Sequence, residues 1–189
     1  MKTKLLMSVA ALAAATLLSA CADMMTMANK PVFSQQALPD AVKVPAGFKV
    51  AMETVGVGEI SDECRAKTGA AGAAGEFEWV FVGPKAVLND RSGKAVGTYY
   101  GPPATWETMD GSKITATQLA VAPAGAGNIP FQLLKANTAM GAGMMNGVSH
   151  IQRVATRGGT APALPCAATS LGQKQVVNYQ ADYIFWKAS

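Results

Sequence analysis

Turn signals punctuate this chain roughly every 8–12 residues, and the runs between them alternate apolar with polar side chains. That period of two belongs to half-buried strands, and it leaves little room for helices. Apolar alternation marks Phe48–Thr54, and a second run covers Val57–Cys64. Phe77, Trp79 and Phe81 alternate with Glu78 and Val80, which places three rings on one strand face before Gly83-Pro84 breaks the run. Ala86–Leu88, Val96–Tyr100, Thr105–Met109, Ile114–Val121, Ile129–Asn137 and Val148–Thr156 follow. Gly101-Pro102-Pro103 and Gly158-Gly159 close two of them. The last strand is the longest, with Val177, Tyr179, Ala181, Tyr183 and Phe185 on one face. Asp110-Gly111 has the residue types of a two-residue type I′ hairpin turn. About nine strands without a helix argue an all-β domain, an antiparallel sandwich or a closed barrel.

The N-terminus reads differently. Lys2 and Lys4 precede an apolar run, Leu5–Leu18, too short to span a bilayer as a helix. It ends in Leu18-Ser19-Ala20-Cys21, which resembles a bacterial lipobox, with Cys21 lipidated and becoming the mature N-terminus. Ala22 after the Cys, rather than an Asp, favours the outer membrane over the inner one. The expected organisation is a signal peptide over 1–20, a lipidated tether over 21–45 and one β-rich domain over 46–189.

Composition narrows the partners. Of 16 Lys and Arg, two lie in the signal, which leaves 14 against 12 Asp and Glu. A near-neutral mature chain without a basic run excludes a nucleic-acid reading. The expected partners are the membrane, through the anchor, and a small-molecule or glycan ligand. Besides Cys21 there are two cysteines, Cys64 and Cys166, and an even remainder in an oxidising compartment reads as one disulfide. Closing so long a loop is worth about 4–5 kcal/mol in the chain-entropy model.

The residues that carry chemistry are few. His150 is the only histidine. As a general base it would need a carboxylate, Asp110 or Glu107, with Ser149 or Ser112 close by, which would make an extracytoplasmic hydrolase. No nucleophile elbow or paired-carboxylate motif accompanies it, and a hydrogen-bonded histidine in a half-buried strand is the plainer reading. Methionines cluster at Met24, Met25 and Met27 and at Met140, Met144 and Met145. Thioethers suit Cu(I), which makes copper handling a second alternative. No metal site with ordinary ligand spacing is present, and no cofactor is expected. Gly141–Gly147 superficially resembles a dinucleotide loop, but its spacing is off by one and it lies between strands, so a Rossmann dehydrogenase is rejected. Tyr99, Tyr100 and Trp106 with Glu107 form a candidate ligand edge beside Pro102 and Pro103. Arg153 and Arg157 flank the Gly158-Gly159 turn and offer an anion contact.

Several pieces together resemble the domain-of-unknown-function family 3455. They are FEWVFVGPKAVL, VGTYYGPPATWE, DGSKI, IPFQLLKA, GVSHIQRVATRGGTAP, Cys166 and VVNYQADYIFW. They run in order from Cys64 to Trp186. The resemblance implies a secreted or envelope β-rich domain and no established activity. The chain departs from the family pattern at Thr98, where His is common, at Phe131, where Trp is common, and at Asn178, where Pro is common. A catalytic role for a histidine at the first of these places would be lost here.

Overall fold

The computed structural model describes residues 33–68 and 76–189. The expected signal peptide, Cys21 and residues 69–75 lie outside the described residues. Eight strands follow one another: β1 (Phe48–Ala66), β2 (Phe77–Asn89), β3 (Ala95–Tyr100), β4 (Thr105–Thr108), β5 (Lys113–Ala122), β6 (Phe131–Ala136), β7 (Val148–Gly158) and β8 (Lys174–Ala188). Each pairs antiparallel with the next, and β8 returns to pair with β1, so the sheet closes on itself. Closure leaves no open edge to template aggregation. Two short 3-10 turns, Asp40–Val42 and Ala168–Ser170, are the only helical pieces among the described residues.

The ten runs read from the sequence become eight strands because two sequence breaks do not end their strands. Phe48–Thr54 and Val57–Cys64 are one continuous β1, paired with β8 almost throughout. Gly83-Pro84 sits inside β2 next to a bulge. Ser61 pairs with Gly83 and Asp62 with Phe81, so Val82 is the extra residue. A bulge is one of the few places in a sheet that tolerates a proline without a lost ladder bond. The Asp110-Gly111 turn also differs. Gly111 alone has positive φ (82°), and its N–H donates to Thr108 O at 3.0 Å, with Thr108 N–H returning to Ser112 O. This is a three-residue loop with a left-handed glycine, not type I′.

Inward and outward side chains build two cores. Inside the barrel lie Ile60, Leu88, Tyr99, Trp106, Ile114, Met145, Ile151, Tyr179, Tyr183 and Phe185. A second cluster lies outside it, where Ala122, Leu133, Val154, Ile184 and Trp186 are covered by Val42 and Val44, with Phe33 and Leu38 at the margin. The segment read as tether up to residue 45 is therefore part of the domain from Phe33 onward. Its sequence lacks a period because, apart from the single 3-10 turn Asp40–Val42, it is neither strand nor helix; it is fixed by bonds. Gln35 donates to Val44 O and accepts from Val44 N, both at 2.8 Å. Gln152, fully buried, donates to Val42 O at 2.6 Å and accepts from Trp186 Nε1 at 2.8 Å.

At the other end, Cys64 and Cys166 are disulfide-bonded, with their Cα atoms 5.5 Å apart. The bond ties the irregular 159–173 segment to β1, and Trp79 Nε1 adds a hydrogen bond to Leu164 O at 2.7 Å. The three rings of early β2 are not core. Phe81 is 55 % exposed, and Phe77 and Trp79 are half-buried. They lie on the part of the ribbon that the 159–173 segment only partly covers.

Candidate functional site

The interior row of side chains shapes the outside of the barrel. Running across the strands, Gly158, Tyr179, Gly58, Ala86, Tyr99, Trp106 and Ile114 are successive cross-strand partners. Gly58 and Ala86, the smallest residues of the row, sit between the rings of Tyr179 and Tyr99. A Cβ on Gly58 would lie 2.1 Å from Lys85 O, and one on Gly56 would lie 2.6 Å from the Tyr183 ring. Only glycine lets β1 press so closely onto β2 and onto the rings inside. The outer surface dips where β1 and β2 close in.

That dip is a groove of about 840 Å³ over the outer faces of β7, β8, β1, β2 and β3. One wall is the row Arg157–Gln180–Val57–Val87–Thr98, each residue the cross-strand partner of the next, and Glu107 continues the line onto β4. Val57 and Val87 are 47 % and 45 % exposed, so this wall is apolar at its centre. A parallel row, Asn178–Glu59–Lys85–Tyr100, forms the opposite wall, and the row Gly158–Tyr179–Gly58–Ala86–Tyr99 between the two is the floor. A smaller hollow continues past Val87 and Thr98 towards Glu107 and Met109. An apolar floor with a few convergent polar groups is the usual make-up of a small-molecule site.

The candidate edge divides between core and groove. Tyr99 and Trp106 are buried and stack on each other at 4.7 Å, with Tyr183 against both. Burial pushes the hydroxyls of Tyr99, Tyr179 and Tyr183 above the ordinary phenol value, so they stay neutral. Trp106 Nε1 is buried without a hydrogen-bond partner among the described residues. Tyr100 does face the groove, and its hydroxyl donates to Glu107 Oε2 at 2.6 Å, which fixes the ring and raises its pKa. The two arginines separate. Arg153 is half-buried and spends its guanidinium on Pro130 O, at 3.2 and 3.0 Å. Arg157 lies exposed at the groove end. The alternation of β7 would aim Arg157 inward, three residues after outward Val154. Between Val154 and Arg157 the strand bulges, and Ala155 takes a positive φ of 48°.

The acid–base candidates are dispersed. His150 is 6 % exposed, its ring edge-on to Phe48 at 4.6 Å, with Nδ1 3.1 Å from Ser149 Oγ. Burial and nearby Lys135 hold its pKa below the ordinary value. Asp110 instead accepts from Thr108 Oγ1, from Ser112 Oγ and N–H, and from Met144 N–H. Glu107 serves Tyr100. No carboxylate is bonded to His150 among the described residues, and the hydrolase arrangement gains no support. Met145 is buried in the core while Met140 and Met144 are exposed, and Met24, Met25 and Met27 lie outside the described residues. Among the described residues no group of three or more His, Cys, Asp or Glu is placed to hold a metal ion.

Sequence reading missed Val57, Val87, Lys85, Glu59 and Gln180. The signal was present in Val57-Gly58 and Ala86-Val87: an outward valine beside an inward glycine or alanine on neighbouring strands. Registering β1 against β2 was what the sequence alone withheld.

Searches of curated proteins and of solved structures return no match. A family model described as "Protein of unknown function (DUF3455)" matches residues 45–187, which span the barrel except for its last strand residue, Ala188, and include every groove residue. With well over half of its length matched, the chain belongs to the DUF3455 family.

Proposed function

We propose that this protein is an exported, lipid-anchored binding domain rather than an enzyme, with Cys21 as the anchor and the outer groove as the ligand site. One observation carries the binding reading: a concave, apolar-floored groove with polar groups converging from five strands, in a domain where the acid–base candidates are dispersed. The lipobox supports the anchor, and Ala22 favours the outer membrane. From Cys21 to Phe33 is twelve residues, so the groove would stay within about 40 Å of the lipid surface plus the barrel's own width.

Two measurements test this. Cys21→Ser should move the protein from the membrane to the soluble fraction; retention on membranes defeats the anchor. The soluble Cys21→Ser protein should then show a ligand-dependent rise in Tm with small amphiphiles or short glycans, since a ligand that binds only the native state stabilises it. No rise with either class defeats the groove as a ligand site.

A further inference from the structure

Resting on the groove reading, we infer that the ligand is an amphiphilic anion: its carboxylate, sulfate or phosphate pairs with Arg157, and its apolar body lies over Val57 and Val87.

The geometry of one row carries this. From Arg157 the cross-strand order is Gln180, Val57, Val87 and Thr98. At about 4.8 Å per strand, the valines sit about 10–15 Å from the arginine. The groove therefore offers a charge at one end, an amide beside it and a bare apolar stretch beyond. Exposed valines in a concavity suit an alkyl or ring body better than a sugar, whose hydroxyls would face them unpaired.

The sign of the charge follows from the lining. Glu59 and Lys85 are direct cross-strand partners and offset each other. Arg157 has no carboxylate within ion-pair distance among the described residues, whereas Arg91 engages Glu53 and Asp182. The surplus in the groove is one guanidinium. Its outward aim depends on the β7 bulge, where Ala155 holds a left-handed backbone that is strained for a non-glycine residue. Bulges commonly re-aim a side chain in this way.

The test is a charge series on one chain length. Decanoate, decyl sulfate and decyltrimethylammonium, each below its micelle concentration, are titrated calorimetrically into the soluble Cys21→Ser protein. Both anions should bind at least about tenfold more tightly than the cation, the worth of one charge-assisted hydrogen bond. Arg157→Gln, exposed and harmless to folding, should remove that preference while leaving the cation unchanged. The Val57→Asn/Val87→Asn pair should weaken all three. If all three bind alike, or Arg157→Gln changes nothing, the anion inference falls and the groove reading stands. If none binds, the inference falls, and the groove reading falls with it when short glycans also leave Tm unchanged; if the double valine variant binds as before, both fall.

Discussion

The two outer faces of this barrel are built from the same kind of strand and end in opposite states. On one, Ala122, Leu133, Val154, Ile184 and Trp186 form an apolar sheet surface that the chain covers with its own segment from Phe33 to Val44. On the other, Val57 and Val87 are left bare in the groove. Arg91 stands between them, reaching from the β2–β3 loop to Glu53 at 2.9 Å and Asp182 at 2.6 Å, while Glu53 also accepts Phe33 N–H where the cover begins. The covered face carries large side chains that need a lid. The bare face carries two exposed valines among polar side chains, on strands drawn inward by Gly56, Gly58 and Ala86. Stability is concentrated on the first face, which leaves the second free to vary its side chains at little cost.

That division can be broken directly. Val42→Asp puts an unpaired charge into the fully buried contact between cover and barrel and should cost about 3–5 kcal/mol. Val57→Asp on the bare face should stay within about 0.5 kcal/mol. Urea denaturation of both variants gives the comparison. Equal losses would mean that the groove wall is as structural as the covered face.

Removing the disulfide should come next in size. The Cys64→Ser/Cys166→Ser pair should lose about 2–5 kcal/mol, because the bond closes a chain separation of 102 residues. The effect should fall on the 159–173 segment and on Trp79, distant from the covered face, so Trp186 should keep its environment. Following both tryptophans separately by NMR during unfolding checks this. A simultaneous loss at low denaturant would join the two regions into one unit.

How much of this was legible in the residues depends on range. Local patterning placed the strands well, from the alternation in β8 to the turn residues before β5. The all-β class and the cysteine pair followed without the structure. What was not legible depended on register. Pro84 looked like a strand end because nothing local reveals the bulge at Val82. Phe77, Trp79 and Phe81 looked like core because alternation tells that residues share a face, not that the face is covered. The cover from Phe33 was invisible for a related reason: Gln35 and Gln152 hold it through bonds between residues far apart in sequence. The candidate edge at Tyr99, Tyr100 and Trp106 was half right for the same cause. Tyr100 and Tyr99 are neighbours in sequence and lie on opposite sides of the sheet.

Two carboxylates give the smallest and most specific test, because their environments shift them in opposite directions. Asp110 accepts four hydrogen bonds around the β4–β5 loop, which hold its carboxyl well below the usual range. Its folded pKa lies below the unfolded one, so its stabilisation is present above about pH 4 and is lost as pH falls through the folded value. Asp62 is 4 % exposed, with Oδ2 lacking a partner among the described residues, and burial pushes its carboxyl up. Its folded pKa lies above the unfolded one, so its contribution is most favourable below about pH 4 and is lost as pH rises through the folded value. Asp110→Asn should therefore lower Tm at pH 7, with the deficit shrinking towards acid. Asp62→Asn should raise Tm at pH 7, with the gain shrinking towards acid. Thermal melts of both variants and wild type across pH 3–8 decide it. Parallel curves would show that neither carboxylate is shifted by folding, and a deficit in Asp62→Asn at pH 7 would show that its buried oxygen is paired in solution.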